Sequence, residues 1–216
     1  MLKDEWMVFH NKEKINDRLS KTLGESNYNS QNYLEQLSHI CNDFDEIIKK
    51  SIEDLSRSDI LAAVTYTWWA IEAVDCIYKE LNDTFSINLI TSSKYNEIHK
   101  FVIAIRSFIV AHPLETNRHP KFGLDGTYIL TDIYSTWSKF IRQPNDIIYL
   151  SIKGCNNKPS KNKSYIYLKV YPTKNNGNTL YQKWFALSFS DLEYSISYCI
   201  KTLDDYNKIL KKSIKK

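Results

Sequence analysis

The chain has 216 residues, 43% of them hydrophobic and 25% charged, with a net charge of +4, 5 glycines and 5 prolines. That usage excludes disordered, collagen-like and coiled-coil classes and predicts one generous domain or a domain with an extension. No apolar run approaches the roughly 18 to 20 residues of a membrane span, and the four cysteines, Cys41, Cys76, Cys155 and Cys199, form no CxxC pair. No membrane partner, disulfide scaffold or cysteine zinc site is expected. Asp4 and Glu5 stand where a signal peptide has its apolar run, so a cytoplasmic protein is expected.

Residues 1 to 24 read as helical. From 30 to 56, Leu34, Leu37, Cys41, Phe44, Ile48, Ile52 and Leu55 recur at spacings of three and four, one stripe of a long amphipathic helix. Ser58 or Asp59 caps the next, which carries Leu61, Val64, Trp68, Ile71, Val74, Ile77 and Leu81. A further helix begins near Ser92 or Ser93, has Ile98, Phe101, Val102, Ile105, Phe108 and Ile109 as its stripe, and stops at Pro113. The period then changes. Tyr128 to Ile133, Ile148 to Lys153, Tyr165 to Tyr171 and Trp184 to Phe189 read as short strands, and Ser190 with Glu193 as a capping box opening a last helix. The predicted class is α+β: a helical bundle over 1–126, then an antiparallel β-meander with a closing helix over 127–216, packed on the bundle.

The sharpest local signal is Arg106 followed by His112 near the end of the fourth helix. On an ideal α-helix His112 falls within the apolar stripe and Arg106 at its edge, where an unpartnered cation costs several kcal/mol. Such a pair is either satisfied internally or used.

An Arg, five residues and a His at the end of a helix in a compact bundle resembles the HEPN superfamily (higher eukaryotes and prokaryotes nucleotide-binding). The resemblance spans residues 30 to 112, and the sheet is an addition. It implies a metal-independent endoribonuclease of toxin, abortive-infection or antiviral defence systems. It also implies a homodimer in which Arg106 and His112 of two protomers converge. Ser107 stands where the family often has Asn, Asp or His.

The chemistry is coherent. On a helix the two residues are separated by about 9 Å of rise and about 120°, so a two-fold axis is needed to bring copies of both to one phosphate. His112, with an imidazole's ordinary pKa of about 6.5, would move the proton as the 2′-hydroxyl attacks. Arg106 would hold the charge on the phosphoryl oxygens, leaving a 2′,3′-cyclic phosphate. The competing reading has Arg106 in a salt bridge and His112 capping helix carbonyls. His99, two turns before Arg106, and Ser107, Glu115, Arg118 and His119 are supporting candidates or ordinary surface polars.

No HExxH, GxSxG, Walker or GxGxxG motif is present, and no metal or cofactor is expected. From Ile147 to Ser190 there are seven lysines and no acid, an asymmetry that points to a polyanion such as RNA. The alternation sets Tyr149, Lys153, Tyr165, Tyr167, Lys169 and Tyr171 on one face. That face is either an RNA-stacking platform or a core layer. Beside the ribonuclease, for which an antitoxin or other protein partner is a candidate, stand a non-catalytic dimerisation module that binds RNA or a protein partner and a scaffold subunit of a larger assembly.

Overall fold

The computed structural model describes residues 1–11, 28–85, 89–111, 119–123, 128–135, 146–172 and 182–213. Along these lie α1 (Leu2–Asn11), α2 (Tyr28–Ile48), α3 (Arg57–Phe85), α4 (Ser93–Arg106) and α5 (Phe189–Ser213). The strands are β1 (Tyr128–Tyr134), β2 (Ile147–Ser151), β3 (Gly154–Asn156), β4 (Tyr165–Pro172) and β5 (Lys183–Ser188). The order is the expected α+β one of helices, a small sheet and a closing helix.

Local hydrogen bonds set the helix ends. α2 stops at Ile48 rather than running to Leu55. Beyond it the Ser51 hydroxyl donates to Asp54 and the Asp54 N–H to the Ser51 carbonyl, a short 3-10 turn that competes with the helix. α3 is capped two or three residues earlier than the pattern suggests. Ser56 Oγ accepts the Asp59 N–H at 3.1 Å, and Asp59 Oδ2 accepts the Ser56 N–H at 2.9 Å. This reciprocal box has Asp in the place of the usual Glu. α4 starts as expected, with Ser92 Oγ accepting the Tyr95 N–H. α5 starts at Phe189, so Ser190 lies inside the first turn with its hydroxyl against that of Ser188. By length and composition Arg57–Asp83 of α3 would also cross a membrane, but half of its most apolar stretch is buried inside the protein.

Two compact units divide the chain, one of Met1–Glu46, Tyr66–Asn96 and Glu193–Lys216, the other of Ile47–Thr65 and Glu97–Leu192. Their limits cut α2, α3, α4 and α5 instead of falling near residue 126.

The first unit is helical, with Trp6, Phe44, Ile71, Val74, Ile196 and Leu203 in its core. Asp45, 1% exposed, accepts the Leu2 N–H at 3.0 Å and the Lys3 N–H at 2.8 Å. One carboxylate of α2 thus satisfies the open amides at the start of α1 and favours its dipole. Tyr95 donates to Asp75 at 2.8 Å and ties α4 to α3. Burial, above all, pushes its phenol far above the ordinary value.

The second unit holds the sheet, in the order β1-β4-β5-β2-β3. Neighbours are antiparallel except β2 and β5, which run parallel, Ile147 opposite Trp184 and Leu150 opposite Leu187. The sheet is therefore mixed, where the sequence suggested a plain meander. Central β5 is buried from Trp184 to Ser188 without interruption, as a strand covered on both faces must be.

Candidate functional site

Arg106 is the last residue of α4. From Ser107 to Ala111 the chain widens into a π turn, whose i→i+5 register inserts an extra residue and re-aims the side chains beyond it. From Ser107 to Ala111 the chain thus departs from the ideal α-helix expected there. Phe108 and Ile109 of this turn are buried, and Phe108 meets Phe185 of β5 edge-on, ring centres 5.2 Å apart. Val110, the next residue of the turn, is 39% exposed. Arg106 is half-buried, with its Nε fully buried.

The supporting candidates divide. His112, Glu115 and Arg118 lie outside the described residues. Ser107 and His99 are half-buried, and His99 stands two turns before Arg106 on the same side of α4, about 10 Å along the axis. His119 is half-buried, and its backbone carbonyl accepts the Phe122 N–H at 3.0 Å to open a 3-10 turn, Pro120–Phe122. Phe122, 2% exposed, packs on Phe101 of α4 at 6.0 Å. The chain after the motif thus returns to the motif helix.

The tyrosine face of the sheet is not the open platform that one reading expected. Tyr149 and Tyr165 are each 7% exposed, edge-on to one another at 5.0 Å. They cluster with Ile147, Trp184 and Ala186, and Tyr134 and Tyr167 pack against them. Burial, then the neighbouring Tyr167 and Tyr165, raises the Tyr149 phenol. Rings held this way cannot stack on a base. A register shift in β1 between Leu130 and Asp132 sets Asp132 opposite Lys169. Lys169 Nζ lies 4.0 Å from that carboxylate and 5.5 Å above the ring of Tyr171, itself half-buried. Hydrogen bonding to Tyr171, then the surrounding charges, raises the Lys169 amine despite partial desolvation. Of the six face residues only Lys153 is exposed.

Of the lysines in the acid-free block, Lys158 and Lys161 are exposed like Lys153, and so is Lys121, which sequence reasoning passed over. The exposed lysines of the block lie in an acid-free polar stretch between two strands, with Asn156, Asn157, Asn162 and Pro159 among them. Among the described residues no three of His, Cys, Asp or Glu converge as metal ligands. No family model, curated protein or solved structure matches the chain.

Proposed function

We propose that the chain is a dimeric, metal-independent endoribonuclease of HEPN type, acting in the cytoplasm in toxin or antiviral defence. The observation that carries this reading is the α-to-π transition immediately after Arg106. π turns recur at functional sites because they re-aim side chains at a cost in regular hydrogen bonding, and this one lies between the two motif residues. The half-buried guanidinium of Arg106 is suited to meet a phosphoryl group in partly desolvated surroundings, where its charge-assisted bonds are strongest. Exposed Val110 offers apolar surface beside the motif for a second copy. His112 would carry the proton, and the products would be a 2′,3′-cyclic phosphate and a 5′-hydroxyl.

Arg106→Ala and His112→Ala are each expected to abolish cleavage of single-stranded RNA with melting temperature unchanged within a few degrees, and cleavage by the unmodified chain is expected to survive EDTA. Loss of activity on chelation, or full activity in either variant, refutes the mechanism. The buried Nε of Arg106 favours one other reading, a non-catalytic module in which Arg106 braces the π turn. In that case Arg106→Ala lowers stability and no cleavage is seen.

A further inference from the structure

The basic character of the second unit is concentrated away from the tyrosine face. β3 is an edge strand of the sheet, joined to β2 through Ile152 and Lys153. Lys153, Lys158 and Lys161 succeed one another along this hairpin and the chain that leads into β4, all exposed. Lys121 joins them from the turn after the motif. Its carbonyl oxygen lies 3.2 Å from where a side chain on Gly154 would begin, and its own methylenes at 3.8 Å. Gly154, at φ 137°, is what permits that approach.

Among the described residues none of these four lysines has a carboxylate within ion-pairing distance, whereas Lys163 is bound to Asp191 at 2.6 Å and Lys169 faces Asp132. Asp146 stands at the far end of β2 from the hairpin tip, about 20 Å away along the strand.

The lysines also sit on a fixed frame. Ser151 Oγ donates to the Gly154 carbonyl at 3.0 Å, and the Ser160 N–H donates to the Tyr165 hydroxyl at 2.9 Å. Asn162 takes the left-handed conformation, φ 62°, which asparagine tolerates. Phe122, next to Lys121, is seated on Phe101 of α4. The frame is therefore attached to the helix that carries Arg106.

We infer that Lys121, Lys153, Lys158 and Lys161 form a docking strip for the phosphate backbone of single-stranded RNA. The composition selects this partner. From Lys153 to Ser164 there is no acid and no large apolar or aromatic side chain. A protein interface needs a buried apolar or aromatic centre, and a membrane-seated segment gains most from residues that enter the acyl boundary. Neither is provided. Phosphate contacts need only cations and amide or hydroxyl donors, and Asn156, Asn157, Ser160 and Asn162 supply those between the lysines. The inference rests on the ribonuclease reading for its choice of RNA.

The test uses the full chain carrying Arg106→Ala, so that cleavage does not interfere, and a labelled single-stranded RNA of about 20 nucleotides read by fluorescence anisotropy. Replacing Lys153, Lys158 and Lys161 together with Ala is expected to weaken binding about tenfold and to flatten the log–log salt slope by about 0.7 per lysine. A control replaces exposed Lys3, Lys79 and Lys201 of the first unit for the same change in net charge, and is expected to leave both quantities in place. Equal losses in both triple variants, or none in either, overturn the strip. So does tighter binding to phosphatidylserine vesicles than to RNA, abolished by the same three changes. If the intact chain binds RNA through the strip yet cleaves none, the strip stands and the ribonuclease reading fails.

Discussion

Phe108, inside the π turn after Arg106, meets Phe185 on central strand β5 edge-on at 5.2 Å. Both rings are fully buried. The contact fixes an irregular turn onto the central, continuously buried strand of the sheet, so the direction of the chain after Arg106 is set by packing. Phe108→Ala is expected to cost about 3–5 kcal/mol, the range for an aromatic removed from a core. Val110→Ala, two residues on and 39% exposed, is expected to change stability by less than about 0.5 kcal/mol. Urea unfolding of both variants checks this, and equal effects would mean that the turn is not held by the sheet.

The second prediction is a pH dependence. Hydrogen bonds from Lys50 and from the Ser56 hydroxyl and N–H hold the Asp59 carboxyl down at about 2, below its ordinary 3.8. A depressed carboxylate stabilises the fold above its unfolded pKa and loses that contribution as pH falls through the folded one. The melting-temperature gap between the unmodified chain and Asp59→Asn should therefore be constant at neutral pH and shrink between about pH 4 and about pH 2. A gap that is flat across that window would show that the capping box does not use the charge.

Asp45 provides a third. Its two oxygens hold the Leu2 and Lys3 amides, and Asp45→Ala is expected to cost about 1–2 kcal/mol, a large helix-capping effect because the carboxylate is buried. Amide exchange should quicken in α1 more than in α4. Uniform quickening would point to general loss of packing instead.

Tyr165 has two jobs that two substitutions separate. Tyr165→Phe keeps the ring against Tyr149 and removes only the acceptor for Ser160, so about 0.5–1.5 kcal/mol is expected, with faster exchange at Ser160. Tyr165→Ala also empties part of the cluster and should cost about 3–5 kcal/mol. Identical melting for the two would deny the ring its place in the core.

The local rules read well from sequence. The stripes Leu34–Leu37–Cys41–Phe44 and Ile98–Phe101–Val102–Ile105 are buried, and Ser92 caps α4, because helical period and capping depend on residues within a turn or two. The strands expected from Tyr128, Ile148, Tyr165 and Trp184 also lie within two residues of those positions at each end, alternation having marked those from Ile148 and Tyr165.

What sequence by itself determined is thus the kind and place of the elements, the Arg106 and His112 spacing, and the acid-free lysine block. Only the tertiary structure decided which face was wet. Alternation separates Tyr149, Tyr165 and Lys169 from Leu150, Ile166 and Leu168, but it does not say whether the second face meets water. That depended on β2 joining β5 in parallel, which brings Ile147 opposite Trp184 and Tyr149 opposite Ala186, and on the β1 irregularity that carries Asp132 to Lys169. Both are pairings between residues tens of positions apart. The π turn after Arg106 belongs with them: its apolar residues read as ordinary α-helix, and the Phe108–Phe185 contact that holds it joins residues 77 positions apart. Such contacts are energetic choices of the folded chain, and no local period encodes them.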